Sequence, residues 1–264
     1  MSKFKDALYD HAEALIRIGK ANPSRMDEIL ANLRRLGNEW ADELAFQDVR
    51  QMQTELRQTF SAFCAGGYKR ELPTIKPYRI DRIKPILRAE LDRRIASSAS
   101  LIKINRQNMI AESIQRFAGW STGDIASQVT PPREVVTSDK KASDFTVRRV
   151  RIDQRQKLRA NIADITAKET GAIAFYWRGK MDDRERPLHK KRNGKLYLLT
   201  DTWATKQGLV KASNDAPWAE FSESKDDGPP GVPIYCRCHA EYVFDLDELP
   251  PSALTEKGRA KIDD

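Results

Sequence analysis

Apolar positions recur every three or four residues through most of the first half of the chain, which predicts amphipathic helices. Leu8, Ala12 and Leu15 begin this pattern, which continues to about residue 65 and resumes over residues 83–117. The apolar stripes are narrow and the other faces are charged. We therefore expect these helices to pack on one side only, against each other or against a neighbouring subunit.

The periodicity changes in the second half of the chain. A last helix is predicted over residues 144–168, preceded by a short polar stretch, 134–146, to which the pattern assigns no structure. Three β-prone segments follow, at residues 173–177, 195–199 and 241–244, the first two joined through an Asn-Gly turn. The pattern as a whole predicts the α+β class, with a long, mainly helical N-terminal part followed by a small mixed α+β module with a short β-sheet.

This pattern divides the chain into three predicted regions. Residues 1–143 are a helical region suited to docking and assembly, 144–247 are the small mixed module, and 248–264 are a polar and loose tail. Trp177, Trp203 and Trp218 are expected to fill the core of the module. Stacking of these rings on nucleic-acid bases is the alternative.

Composition and charge narrow the possible functions. The 264 residues are 40% hydrophobic and 32% charged, and no stretch approaches the roughly 20 apolar residues of a membrane span. The N-terminus lacks the apolar core of a signal peptide, so we expect a cytoplasmic protein without membrane contact. The net charge of +8 is uneven, because residues 148–195 hold 15 Lys/Arg against 6 Asp/Glu. This local excess favours an anionic partner such as nucleic acid, or else it is a solvated basic surface.

An ordered set of short motifs lies between residues 148 and 240. The set comprises Arg151, Asp153 and Gln154 on a helix, Trp177 in a strand, Asp182, Arg184, Arg186 and His189, and then Gly194, Gly231, Cys236, Arg237 and Cys238. In this order and at these separations the set resembles the phage Mu protein F-like domain, also called the phage head morphogenesis domain. The sequence departs from that family at Tyr235, where an asparagine is usual, and at Lys190–Arg192, where small and apolar residues are more frequent.

The resemblance implies a minor head protein of a tailed bacteriophage rather than an enzyme. Its implied partners are the portal protein, the major capsid or scaffold protein and packaged double-stranded DNA, which is bound without sequence preference. The implied locations are the host cytoplasm during assembly and then the interior of the virion head. The predicted DNA contacts are basic residues of the charged segment, namely Arg155, Lys190, Lys191, Arg192 and Lys195. Lys190–Arg192 are predicted to form an exposed basic tip. The alternative to DNA contact for this tip is a solubilising loop.

The polar motif residues have a structural and a catalytic interpretation. If residues 184–186 are extended, Arg184 and Arg186 share one face and can pair with a carboxylate such as Asp153, which would hold the module together. This structural hub is the preferred interpretation, and no catalytic residue is predicted. The alternative function is a metal-dependent nuclease or other phosphodiester hydrolase, in which Asp182, Asp183 and His189 would hold Mg²⁺ and act as the base.

The Cys236-Arg237-Cys238 pair is open to three interpretations. Two buried thiols come first, because free cysteines are good small hydrophobes. Zinc held with His189 or His239 comes second, although structural zinc sites usually space their cysteines more widely. A disulfide comes third, because it would be strained at this spacing. No metal or other cofactor is therefore predicted, and zinc remains the alternative, while Cys64 is expected in the core.

Overall fold

The computed structural model describes residues 3–18, 22–73, 75, 79–122, 130–222 and 227–263. Its helices are α1 (Lys3–Ile18), α2 (Pro23–Ala62), α3 (Tyr68–Glu71), α4 (Lys84–Thr122), α5 (Pro132–Glu169), α6 (Pro187–Arg192), α7 (Trp203–Lys206) and α8 (Glu256–Asp263). Its strands are β1 (Ala174–Arg178), β2 (Leu196–Leu198) and β3 (His239–Val243). The predicted α+β class is confirmed, with long helices first and a small antiparallel sheet near the C-terminus.

The chain forms two compact units that do not follow the order of the sequence. Residues 1–54 and 95–152 make the first unit, and residues 55–94 and 153–264 make the second. Each of α2, α4 and α5 contributes to both units, whereas the sequence pattern divided the chain in order, with boundaries after residues 143 and 247. The helical period identifies which side chains are buried, but it does not show against which part of the chain they are buried.

The first unit is a helical assembly with one apolar core. Its buried side chains include Leu8, Leu33, Trp40, Ile110 and Phe117, which come from α1, α2 and α4 and lie on the predicted stripes.

A buried charge network accompanies that core. Arg106, which is 3% exposed, lies 2.8 Å from an oxygen of Asp48 and 2.7 Å from an oxygen of Asp144. It also donates a hydrogen bond to the hydroxyl of Ser143.

The second unit is organised around the three-stranded sheet, in the order β2-β1-β3 with both pairs antiparallel. Because side chains alternate along a strand, the two faces of the sheet differ. One face is mainly aliphatic and includes Ala174, Leu198 and Val243. The opposite face is aromatic, and Phe175 pairs across the sheet with Tyr197 on one side and Tyr242 on the other. Trp177 lies on this aromatic face and is fully buried.

Two predictions about the ends of elements are wrong. The helix expected from residue 144 begins at Pro132, where a proline suits the first turn, so the whole of the unassigned stretch 134–146 is helical. The tail is packed rather than loose, because Leu249, Ala253 and Leu254 are buried and Leu254 forms a β-bridge with Val210. Its few apolar residues are too widely spaced to show a period. The paired prolines at residues 131 and 132 also predict a break over residues 128–133, and this stretch lies partly outside the described residues.

The other core predictions have mixed outcomes. Trp203 and Trp218 pack against the aliphatic face, as predicted, although both are only partly buried. Cys64 is partly exposed rather than fully buried. Among the helices in the described ranges, none combines the length and apolar character needed to cross a membrane.

Candidate functional site

Three buried side chains of the second unit converge beside the aromatic face of the sheet. The Sγ atoms of Cys236 and Cys238 each lie 3.5 Å from Nδ1 of His189. The exposed fractions of the three residues are 2%, 4% and 1% for His189, Cys236 and Cys238. Within the described part of the chain, these are the histidine, cysteine and acidic residues that could together hold a metal ion, with ligand atoms within 4.8 Å of one another. We call these three residues the His-Cys-Cys cluster.

His189 is positioned by a short helix and by a tryptophan. Pro187 begins α6 with the fixed backbone angle that a helix start requires, and His189 follows in the first turn. The indole of Trp177 packs edge-on against the imidazole, with ring centroids 5.1 Å apart. This contact, together with burial, restricts the ring to one orientation.

The two cysteines are presented by a loop with unusual backbone angles. Gly231 has a φ of 81°, and a Cβ there would lie 2.7 Å from the Cβ of Ala160, so a glycine is needed. Its N–H points at Cys236 Sγ, at a distance of 3.4 Å. Tyr235 also has a positive φ of 57°, and its N–H donates to Asp153 Oδ1 at 2.6 Å. The Tyr235–Asp153 hydrogen bond thus ties the loop to α5 directly before the first cysteine.

The residue between the two cysteines has a different role. The side chains of Cys236 and Cys238 are buried in the cluster, whereas the side chain of Arg237 is exposed and lines an adjacent cavity. Its guanidinium binds Asp182 through two hydrogen bonds, of 2.6 Å and 2.5 Å. These bonds hold the pKa of Asp182 at about 2, below its ordinary value. The bidentate arginine–carboxylate pair of the module is therefore Arg237–Asp182.

Glu185 completes the surroundings of the cluster. Its carboxylate is buried and accepts hydrogen bonds from the backbone of Met181 and from Cys238 Sγ, the latter at 3.2 Å. Gly179 leaves room for it, because a Cβ at that position would lie 2.2 Å from the carboxylate. No local pattern predicts this role, because Glu185 lies in a run of charged residues, which usually indicates a solvated surface.

The two sulfurs have different electrostatic environments. A hydrogen bond from Cys238 lowers the pKa of Cys236 below its ordinary value, and the N–H of Gly231 and the nearby His189 act in the same direction. The pKa of Cys238 is raised, first by its hydrogen bond to the Cys236 sulfur and then by burial and by Glu185. Cys236 is therefore the sulfur that ionises first.

A cavity of about 150 Å³ opens at the cluster, and its lining is strongly basic. Besides Glu185 and the cluster itself, the lining residues are Lys180, Arg184, Arg186, Tyr235 and Arg237. A second cavity of about 320 Å³ lies elsewhere in the unit, and among its lining residues are Arg70, Glu71, Arg155 and Arg159. In that cavity Glu71 forms an ion pair with Arg159.

The predicted polar hub is only partly assembled as expected. Asp153 was predicted to pair with Arg184 or Arg186, but its carboxylate lies 2.9 Å from Lys157 and accepts from Tyr235. Arg186 donates to the carbonyl oxygen of Ile234 at 2.6 Å. The prediction failed because residues 182–186 form turns rather than an extended strand.

The remaining hub residues have structural positions of different kinds. Gln154 bridges Asp153 and the guanidinium of Arg94, with hydrogen bonds of 3.2 Å and 3.1 Å. Gly194 has a φ of 78° and closes the turn between α6 and β2. Arg151 is half-buried and belongs to the first unit.

The basic tip was predicted to be exposed. Lys191 and Lys195 are exposed and Lys190 is half-buried, but the prediction of exposure is wrong for Arg192. The Arg192 guanidinium lies 5.1 Å from the ring centroid of Trp177 and 4.9 Å from that of Phe221. It also pairs with Asp227, and the two side chains are only 13% and 15% exposed. Arg155 is exposed and lines the larger cavity.

The alternative metal site through Asp182 and Asp183 receives no support from the geometry of the described residues. Asp182 is occupied by Arg237, and Asp183 is exposed. Nδ1 of His189 lies beside the Sγ atoms of Cys236 and Cys238. Histidine and cysteine, rather than paired aspartates, form the metal-competent group.

Comparisons of this chain with known protein families, with curated proteins and with solved structures find no match.

Proposed function

We propose that this chain is a minor head protein of a tailed bacteriophage, which acts in head morphogenesis together with the portal and the major capsid or scaffold protein. In this role it contacts packaged double-stranded DNA without reading its sequence. The main observation in support is that motif residues far apart in the sequence meet around the His-Cys-Cys cluster. Asp153 and Tyr235, for example, are 82 positions apart and form a hydrogen bond.

The convergence supports the resemblance because the motifs were identified only by their order along the chain. Short motifs that occurred together by chance would have no reason to contact one another. Here Asp153 holds Tyr235, His189 faces both cysteines, and Asp182 holds Arg237. These contacts join Asp153, Asp182 and His189 to the Tyr235–Cys238 segment, which supports a structural role for this part of the motif set.

The distribution of exposed charge supports the DNA contact. Lys191 and Lys195 present ammonium groups at the surface, next to the half-buried Lys190. Flexible point charges of this kind bind phosphate without recognising bases. Arg155 adds an exposed guanidinium at the larger cavity.

Exposed apolar side chains in the first unit support docking on another protein. Phe46, Ile104 and Phe145 lie on α2, α4 and α5 and are 64%, 53% and 53% exposed. Exposed apolar side chains mark a protein-binding surface where they form one contiguous patch.

Assembled particles test the assembly role. Particles and portal complexes would be purified, and this chain would be quantified against the portal by mass spectrometry. We expect a low and fixed ratio to the portal. Absence from particles, together with Mg²⁺-dependent cleavage of DNA by the free protein, would overturn the proposal and favour the nuclease alternative.

The DNA contact is tested by the salt dependence of binding. The affinity for duplex DNA should fall steeply with salt, and each lost phosphate contact should reduce the log–log slope by roughly 0.9. The double variant Lys191→Ala/Lys195→Ala is therefore expected to have a shallower slope than the wild-type chain. The matched control Lys206→Ala/Lys211→Ala removes the same charge elsewhere and should leave the slope nearly unchanged. Equal slopes for both variants would show that only net charge matters.

A further inference from the structure

We propose that His189, Cys236 and Cys238 bind Zn²⁺ through Nδ1 and the two Sγ atoms, and that an oxygen on the Glu185 side of the cluster fills the fourth position. This metal centre is independent of the proposed function in phage heads. It is argued from the geometry, the donor chemistry and the surroundings of the cluster.

The distances fit a tetrahedral zinc ion. Zinc bonds of about 2.3 Å to sulfur and 2.0–2.1 Å to nitrogen, at the tetrahedral angle, place sulfur and nitrogen about 3.6 Å apart. Both sulfur–nitrogen distances in the cluster are 3.5 Å. Both sulfur–nitrogen distances therefore match a tetrahedral zinc site to within about a tenth of an ångström.

The donor arrangement is better explained by a metal than by hydrogen bonding alone. Both sulfurs approach the same ring nitrogen of His189. A neutral imidazole nitrogen offers either one proton or one lone pair, so it can serve one thiol well but not two. A single cation placed between the three atoms satisfies all of them at once. Thiolate and imidazole are also the ligands that structural zinc sites use.

The surroundings provide the outer contacts that metal ligands usually have. The Gly231 N–H directed at Cys236 Sγ is the kind of hydrogen bond that stabilises a metal-bound thiolate. Trp177 fixes the imidazole plane, and the Asp153–Tyr235 hydrogen bond fixes the start of the cysteine segment. The ligands are thus held in place by the fold rather than gathered by the ion alone.

Glu185 is the acidic residue nearest to the fourth position. Its carboxylate oxygen lies 3.2 Å from Cys238 Sγ, and the thiol proton that it accepts would leave when zinc binds. The carboxylate would then keep the Met181 N–H as a donor, and a small movement toward the cluster would bring it to the ion. Zinc with two thiolates and one carboxylate carries a net charge of minus one, which the basic lining of the adjacent cavity compensates.

The spacing of the cysteines explains why the sequence did not predict this site. Most structural zinc sites use two or more residues between paired cysteines, because a tight turn brings the two sulfurs together. Here one residue separates the cysteines, yet both sulfurs lie 3.5 Å from the same imidazole nitrogen, which comes from α6.

The experiment is a metal analysis of the full chain, purified under reducing conditions without chelators. We expect one zinc ion per chain by elemental mass spectrometry. After exchange for Co²⁺, the visible spectrum should show tetrahedral d–d bands and a thiolate-to-cobalt charge-transfer band. Cys236→Ser and Cys238→Ser should each lose the ion and the charge-transfer band. Cys64→Ser is the matched control and should keep both.

The wild-type measurement decides the matter even if a cysteine variant does not fold. A wild-type chain that holds no zinc as purified, takes up none on addition of Zn²⁺ and gives no tetrahedral cobalt spectrum would overturn the metal centre. Glu185→Gln should retain the sulfur-to-cobalt band but bind zinc more weakly. An unchanged affinity in that variant would overturn the place given to Glu185. None of these outcomes depends on whether the chain is found in particles.

Discussion

Arg192 is expected to be a stability residue of the second unit, although the sequence predicts it to be a DNA contact. Replacement by alanine removes a guanidinium that lies between the rings of Trp177 and Phe221 and pairs with Asp227. Each ring contact contributes about 0.5–1 kcal/mol, and the charge-assisted hydrogen bond contributes about 1.5–3 kcal/mol. The ion pair is partly exposed, so solvent screening reduces the sum of these contributions. We therefore expect Arg192→Ala to lower the free energy of unfolding by about 2–4 kcal/mol.

The dependence of this loss on pH identifies its source. The hydrogen bond from Arg192 holds the pKa of Asp227 far below its ordinary value in the folded protein. A carboxyl with a lowered pKa stabilises the fold fully above its unfolded pKa of about 3.9, and this stabilisation is lost as the pH falls through the folded pKa. The difference between the wild-type chain and Arg192→Ala should therefore be largest at neutral pH and should shrink in acid.

Urea unfolding followed by circular dichroism at several pH values would measure both effects. Arg192→Lys keeps the charge but loses the planar fork, so it should recover only part of the stability. The neighbouring exposed Lys191→Ala is the control and should change stability by less than about 0.5 kcal/mol. The reasoning would be refuted if Arg192→Ala were as stable as this control, or if its deficit were the same in acid as at neutral pH.

Three further predictions concern backbone, buried charge and metal. Gly231→Ala should destabilise the chain more than Gly194→Ala in urea unfolding. Both positions have a positive φ, but only at Gly231 would the new Cβ meet Ala160, at 2.7 Å. Equal losses of stability in the two variants would exclude the close contact as the cause. Arg106→Met should lower the free energy of unfolding by about 3–5 kcal/mol, because it leaves the buried network without its cation. The control Lys103→Met removes an exposed cation and should cost at most about 1 kcal/mol. Similar losses in the two variants would contradict the importance of the buried network. A zinc chelator should lower the midpoint of thermal unfolding of the wild-type chain. A ligand present at about 100 times its dissociation constant adds about 2.7 kcal/mol to the free energy of unfolding, and the chelator removes this contribution. An unchanged midpoint would show that the fold does not depend on the metal.

The sequence by itself determined the fold class and most of the elements. Helical periodicity identified the stripe that holds Leu8 and Leu15, and both are fully buried. The alternation and aromatic character of residues 173–177 identified β1, and the Asn-Gly pair lies at the turn before β2. These signals are local, because the period of buried side chains follows directly from helix or strand geometry.

The tertiary structure alone decided how distant segments meet. The division into two units depends on which parts of α2, α4 and α5 pack together, and a helical period is the same along its whole length. Likewise, the choice between His189 and His239 as the partner of the cysteines could not be made from spacing. The structure selects His189, which is buried, whereas His239 is exposed on β3.

Arg192 and Glu185 show the same limit for charged residues. In the sequence both belong to runs of charge, which usually lie in solvent. Their burial depends on partners far along the chain: Asp227 and the rings of Trp177 and Phe221 for Arg192, and Cys238 for Glu185. A charge is buried only where the fold supplies such partners, and that information is not contained in any local pattern.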